Sequence, residues 1–205
     1  MKSKPLLMIV FACLFLCSCA PETANIDTVN DEGKAVMALD YRDFDRAASE
    51  MVQSMIKSGA LAKKGGGRYV MTTGRITNDT MQRIDTDQLM AKVEQDLMNS
   101  GLVVMTSAVG GKGAPDSMVH DVRDIRRSED ADEFDQNTIA AKGQLIAPEL
   151  SVAGKIFQRN IRYDNNRQQV EYYFQLMVTD INTGLRFWQN ETVIGKRGSN
   201  RSVSW

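Results

Sequence analysis

The chain has 205 residues, 42% of them hydrophobic, with 25 Lys+Arg against 26 Asp+Glu and a formal charge of −1. That length fits one domain, or a domain plus a tail, and the balanced charge excludes a strongly basic nucleic-acid binder and an acidic solvating tail. All three cysteines (Cys13, Cys17 and Cys19) fall in the first 19 residues, and His120 is the single histidine, so the rest of the chain has no disulfide, thiol nucleophile or Cys/His metal cluster.

Lys2 and Lys4 precede an apolar run from Leu6 to Leu16. A spanning helix needs about 20 apolar residues, so this shorter run reads as the core of a signal peptide over residues 1–18. Leu16-Cys17-Ser18-Cys19 resembles the bacterial lipobox. The resemblance implies diacylglyceryl transfer to the Cys19 thiol, cleavage before it and acylation of the new amino terminus. In a Gram-negative envelope, Ala20 after the anchor points to the outer membrane. Residues 19–34 are then the lipidated cysteine and a short polar tether, which reaches at most about 50 Å when fully extended.

Residues 35–198 read as one globular α/β (α+β) domain. Phe44, Ala47, Ala48, Met51, Val52, Met55 and Ile56 follow the i, i+3, i+4 spacing of a one-faced helix, with Asp40 or Asp43 as cap and Lys57 with Gly59 at its end. A glycine loop at 65–67 leads to a strand over 68–77. The second helix covers 85–99, with Leu89, Val93 and Leu97 as its stripe, and residues 102–107 form a short buried strand. After a glycine-rich loop, a charged helix runs from Pro115 and Asp116 to about Ser128. An acidic, solvated stretch follows, and a short fourth helix is expected over 138–146.

The last third reads as a β-meander: strands over 150–163, 169–179 and 185–194, with turns at 164–166 and 180–184. In the second of these strands Val170, Tyr172, Phe174, Leu176 and Val178 alternate with Glu171, Tyr173, Gln175, Met177 and Thr179, which predicts one fully buried face. Residues 196–205 are polar and read as a fraying end, with 199–205 as the C-terminal tail. The order of elements implies a mixed sheet of four to five strands with a C-terminal antiparallel meander, flanked by about four helices.

Catalytic signatures are sparse. His120 lies in a charged helix without a recognisable nucleophile partner and reads as a surface histidine. Gly110-Gly111-Lys112-Gly113 puts glycine where the phosphate loop needs a hydroxyl. The acids from Glu129 to Asp135 miss the calcium-loop spacing. Trp205 at the end does not make a barrel of a chain with about five strands. No cofactor, metal or small-molecule substrate is expected, and the chain reads as a non-enzyme. Arg159, Arg162, Tyr163, Arg167, Tyr173, Arg186 and Trp188 lie on the meander or its turns, and they are residue types enriched at interface hot spots. They are the candidate partner-binding residues.

Three segments carry a family resemblance: ALDYRDFDRAASEMVQSMIKSG at 38–59, NDTMQRIDTDQLMAKVEQDLMNSG at 78–101 and YYFQLMVTDINTGLRFWQNETVIGKRG at 172–198. Over about residues 36–198 the chain resembles the LpoB family of penicillin-binding-protein activators. The resemblance implies an outer-membrane lipoprotein facing the periplasm. Its protein partner would be a bifunctional class A penicillin-binding protein, whose glycosyltransferase and transpeptidase it stimulates during peptidoglycan synthesis. Familiar members have a long proline-rich tether; here it is about 15 residues with one proline, Pro21. The alternative is a structural or secretion-assembly envelope lipoprotein of the curli-pore-related type, which predicts a ring oligomer.

Overall fold

The computed structural model describes residues 26–28, 30, 31, 33–110, 116–199 and 201. It divides into two compact units, Met1–Ala35 and Val36–Trp205. In the first, the Asp27 side chain accepts hydrogen bonds from the Asn30 backbone N–H (3.3 Å) and side-chain amide (3.0 Å). The second contains every helix and strand described below.

Helix α1 spans Tyr41–Lys57. Asp40 caps it by accepting the N–H groups of Arg42 and Asp43, and the Asp43 carboxylate accepts the Asp40 N–H at 3.0 Å, closing a capping box. Arg42 bonds the Asp40 carboxylate as well, and this contact above all holds its pKa below the usual carboxylate range. The predicted stripe is the buried face: Ala47, Ala48, Met51, Val52 and Met55 are fully enclosed. Phe44 and Ile56 flank it, half-buried.

Strand β1 (Tyr69–Asp79), helix α2 (Thr86–Asn99) and strand β2 (Val103–Met105) form a parallel β-α-β unit. Asp85 caps α2, which buries Leu89, Met90, Val93 and Leu97. Helix α3 (Met118–Ile125) and a 3₁₀ stretch (Glu129–Glu133) follow, and neither buries a residue. Strands β3 (Leu150–Arg162), β4 (Arg167–Asp180) and β5 (Arg186–Ser199) complete the sheet as antiparallel hairpins. The sheet order is β2-β1-β3-β4-β5, with β1 parallel to both neighbours. The fold is therefore an α+β structure with a five-stranded mixed sheet.

Two expectations are corrected. No helix forms over 138–146; among the described residues three α-helices and the 3₁₀ stretch accompany the sheet. Gly143 has φ +78, outside the helical region, and Leu145 and Ile146 are 40% and 66% exposed, so no buried stripe rewards a helix there. The fraying expected from 196 does not hold over residues 196–199, where β5 continues to Ser199. The Lys196 ammonium is buried against the Asp43 carboxylate at 2.5 Å, which fastens β5 to the start of α1.

The core lies on one face of the sheet, under α1 and α2. Val170, Tyr172, Phe174, Leu176 and Val178 of β4 are completely enclosed there, as their alternation predicts. The Tyr172 hydroxyl donates to the Met37 carbonyl at 3.2 Å and accepts from the Gln82 amide at 2.8 Å. Burial, followed by the nearby Asp43 charge, pushes its pKa up to about 12. Gly154 marks a tight passage: a Cβ there would lie 2.6 Å from the Gln175 carbonyl oxygen and 2.8 Å from Leu176 Cδ2.

Candidate docking face

The strand period that buries one side of the meander turns the alternate residues to the side that no helix among the described residues covers. On β3 these include Lys155, Phe157 and Arg159, and on β4 Glu171, Tyr173 and Gln175. The register places Phe157 opposite Tyr173 and Arg159 opposite Glu171. The Phe157 and Tyr173 rings stack, with centroids 4.8 Å apart and planes 5° from parallel. Lys155 Nζ sits 5.7 Å from the Phe157 ring centre, and the Arg159 guanidinium 5.9 Å from that of Tyr173. Lys155 is also ion-paired with Asp79 at 2.7 Å.

The polar groups of this face are chained together. The Tyr173 hydroxyl donates to Glu171 Oε2 at 2.7 Å, and Gln169 Nε2 donates to Glu171 Oε1 at 2.6 Å. These two donors, Tyr173 first, hold the Glu171 carboxyl below its ordinary pKa. Gln169 Oε1 accepts from Arg197 Nη2 at 2.6 Å. The Arg197 guanidinium lies 3.8 Å from the Tyr163 ring centre, and that of Arg167 lies 5.1 Å from it. Arg167 pairs with Asp164 at 2.7 Å, and Asp164 also accepts the N–H groups of Asn166 and Arg167, which fixes the β3–β4 turn. Aromatic rings flanked by cations and held by hydrogen bonds lose little freedom when a partner binds, which favours docking.

Of the seven residues singled out from sequence, Arg159, Tyr163, Arg167 and Tyr173 come together on this face near the β3–β4 hairpin. Arg186 sits at the other end of the meander, donating to Gln189 Oε1 at 2.6 Å. Arg162 falls on the opposite strand parity and bonds Asn165 at 3.2 Å. Trp188 is only 9% exposed and packs in the core opposite Val178, so it offers little to a partner. Phe157, Gln169, Glu171 and Arg197 were missed. The β3–β4 turn position would have placed Phe157 beside Tyr173; Arg197 was hidden because its polar segment reads as a tail.

His120 Nε2 lies 3.2 Å from the Ser107 carbonyl oxygen, a bond to backbone and not to a nucleophile. Among the described residues, no group of three or more His, Cys, Asp or Glu side chains could hold a metal ion. A cleft of about 820 Å³ between β1 and α2 has Arg75, Asp87 and Glu94 in its walls, which carry no aromatic platform for a sugar ring. No helix among the described residues is long and apolar enough to cross a membrane. Cys13, Cys17, Cys19, Gly111, Lys112, Gly113 and Trp205 lie outside the described residues.

The meander thus presents an open, cation-edged sheet face. A family model described as "Peptidoglycan-synthase activator LpoB" matches residues 43–194, most of the chain, and the chain belongs to that family. The family is one of regulatory activators. A search of curated proteins found no match. Among solved structures, the LpoB C-terminal domain from Escherichia coli is 14% identical, with 75% of this chain and 99% of that one covered and a TM-score of 0.44. The corresponding domain from Salmonella enterica is 14% identical, with 74% and 98% covered and a TM-score of 0.41. Lipoprotein GNA1162 from Neisseria meningitidis is 11% identical, with 67% and 88% covered and a TM-score of 0.37.

Proposed function

We propose that the chain is an outer-membrane lipoprotein that binds a bifunctional class A penicillin-binding protein in the periplasm and raises its activity, without catalysing a reaction itself. Membership of the activator family over residues 43–194 carries this reading. Cys19 would take the acyl chains, and two or more chains give stable anchoring where one alone is marginal. Arg159, Tyr163, Arg167 and Tyr173 would contact the synthase, with Phe157 and Arg197 beside them. Arg162 and Arg186 lie off this cluster and would contribute less.

An activator without chemistry of its own works by binding the active state of its target more tightly than the inactive state, which shifts the population between them. The tether limits where this happens. With a reach of at most about 50 Å, the partner's docking site must stand well out from the inner membrane, toward the anchor.

Titration of the purified chain into a detergent-solubilised class A synthase from the same organism tests the reading. Saturable binding that weakens with Tyr173→Ala supports it. Absence of binding to every such synthase overturns it. Metabolic labelling with a fatty acid, abolished by Cys19→Ser, tests the anchor separately.

A further inference from the structure

The domain begins at the hairpin end of its sheet. Met37 packs on Gly198, where an added Cβ would come 2.6 Å from the Met37 sulfur, and the Met37 carbonyl takes the Tyr172 hydroxyl. Gly198 pairs with Gln168, one residue after Arg167 at the start of β4. The chain that leads back to Cys19 therefore joins the domain beside the β3–β4 turn. The β4–β5 turn stands at the other end of β4, roughly 45 Å away at about 3.3 Å per residue. With a tether of at most about 50 Å, the end that the tether enters is the end held next to the surface that carries the anchor.

That end is cationic. Arg159, Arg162, Arg167 and Arg197 lie there by register, and Arg201 follows two residues after Ser199, the partner of Arg167. Against these five arginines stand Asp164 and Glu171, in a chain whose formal charge is −1. Asp164 pairs with Arg167. Arg162 and Arg197 instead bond the neutral amides of Asn165 and Gln169, which leaves their charge uncompensated in these contacts. Within the ring of arginines, Tyr163 is 47% exposed and Ile161 40%. Guanidinium groups match phosphate geometry, basic clusters are drawn to anionic lipid, and tyrosine suits the headgroup level, where its ring and hydroxyl meet different surroundings.

We propose that the β3–β4 hairpin end rests on an anionic phospholipid surface, the same surface that holds the Cys19 acyl chains. The inference rests on the acyl-anchor part of the proposed function and adds an electrostatic contact to it. Tyr163 and Arg167 belong to the synthase cluster as well, so a synthase must displace lipid from them. The Phe157–Tyr173 stack, farther along the strands, stays open to it.

The test uses the acylated chain reconstituted in vesicles of phosphatidylethanolamine and phosphatidylglycerol. Asn166→Cys and Asn182→Cys, both at exposed positions, place a fluorophore at one turn or the other. Lipid carrying a spin label on its headgroup should quench the fluorophore at 166 and leave that at 182 bright. Quenching at 166 should be lost in phosphatidylcholine vesicles and in about 1 M salt, where the screening length falls to about 3 Å. It should also be lost in Arg162→Glu/Arg201→Glu, which leaves Arg159 and Tyr173 in place; far-UV circular dichroism checks that this variant is folded. Quenching at 166 no stronger than at 182 overturns the proposal and leaves the hairpin end to the synthase alone. Quenching at 166 that persists unchanged in phosphatidylcholine and in the double variant overturns it too, since nearness on the tether then explains the signal. A chain that does not float with vesicles at all overturns the anchor reading together with the proposal, whereas the other two outcomes leave the anchor standing.

Discussion

The Asp43–Lys196 pair links the first helix to the last strand, and removing either partner should destabilise the domain unequally. Both side chains are nearly sealed, at 7% and 9% exposure, with 2.5 Å between Oδ2 and Nζ. Breaking a buried pair typically costs about 3–5 kcal/mol, because the surviving charge is left uncompensated. In Lys196→Met the orphan is Asp43, which keeps the Asp40 N–H bond and Arg46 at 3.6 Å, so the loss should sit near the low end, about 3 kcal/mol. In Asp43→Ala the ammonium is orphaned and half of the capping box disappears, which adds about 1 kcal/mol. The total is then about 4–6 kcal/mol. Asp43→Ala combined with Lys196→Met removes both charges and should cost less than the sum of the two single losses, with a coupling of about 1–3 kcal/mol. Urea unfolding followed by circular dichroism measures all four proteins, at slopes of about 1–3 kcal/mol per molar. Single variants within about 0.5 kcal/mol of wild type, or purely additive effects, would refute the reasoning.

Gly154→Ala should lower stability by about 1–3 kcal/mol, read as a fall of roughly 2–12 °C in melting temperature, because the methyl meets the Gln175 carbonyl oxygen across the sheet. Tyr172 has a folded pKa raised from 10.0 to about 12, so its contribution is complete below pH 10 and is lost as pH rises between those values. Tyr172→Phe should flatten the alkaline fall in stability over that window; an unchanged slope counts against a buried phenol. Glu149 has its pKa lowered from 4.5, first by the Lys63 hydrogen bond and then by the Val70 N–H, so its contribution is present above pH 4.5 and disappears as pH falls. Acid titration of Glu149→Gln should show a shallower loss than wild type. Arg159→Glu and Tyr173→Ala should leave melting within a few degrees of wild type yet weaken synthase binding by about tenfold or more, as expected for anchor residues on the uncovered sheet face.

How much of this could be read from the chain differs by element, and the reasons are physical. A period of two places every β4 side chain on one face or the other, so Tyr172 inside and Tyr173 outside follow from their spacing. The α1 stripe is equally direct, since a 3.6-residue repeat leaves its face little choice. Lys196 could not be read this way. Its polarity says solvent, and its partner, Asp43, is adjacent only after the sheet and helix have packed. Trp188 illustrates the converse: residue type suggested an interface, but the register of β5 against Val178 turns it into the core. The stretch at 138–146 contained apolar residues without a repeat that lined them up, so nothing rewarded a helix. The parallel pairing of β1 with β3, and the irregularity in it between Thr73 and Ile76, depend on long-range contacts that no local pattern carries.

The most direct test of the account measures glycan-strand polymerisation by a cognate class A synthase with and without the purified chain. The predicted result is a rate that rises and saturates with the wild-type chain and rises less with Tyr173→Ala at the same concentration. A synthase that binds the chain while its polymerisation rate stays constant would contradict it.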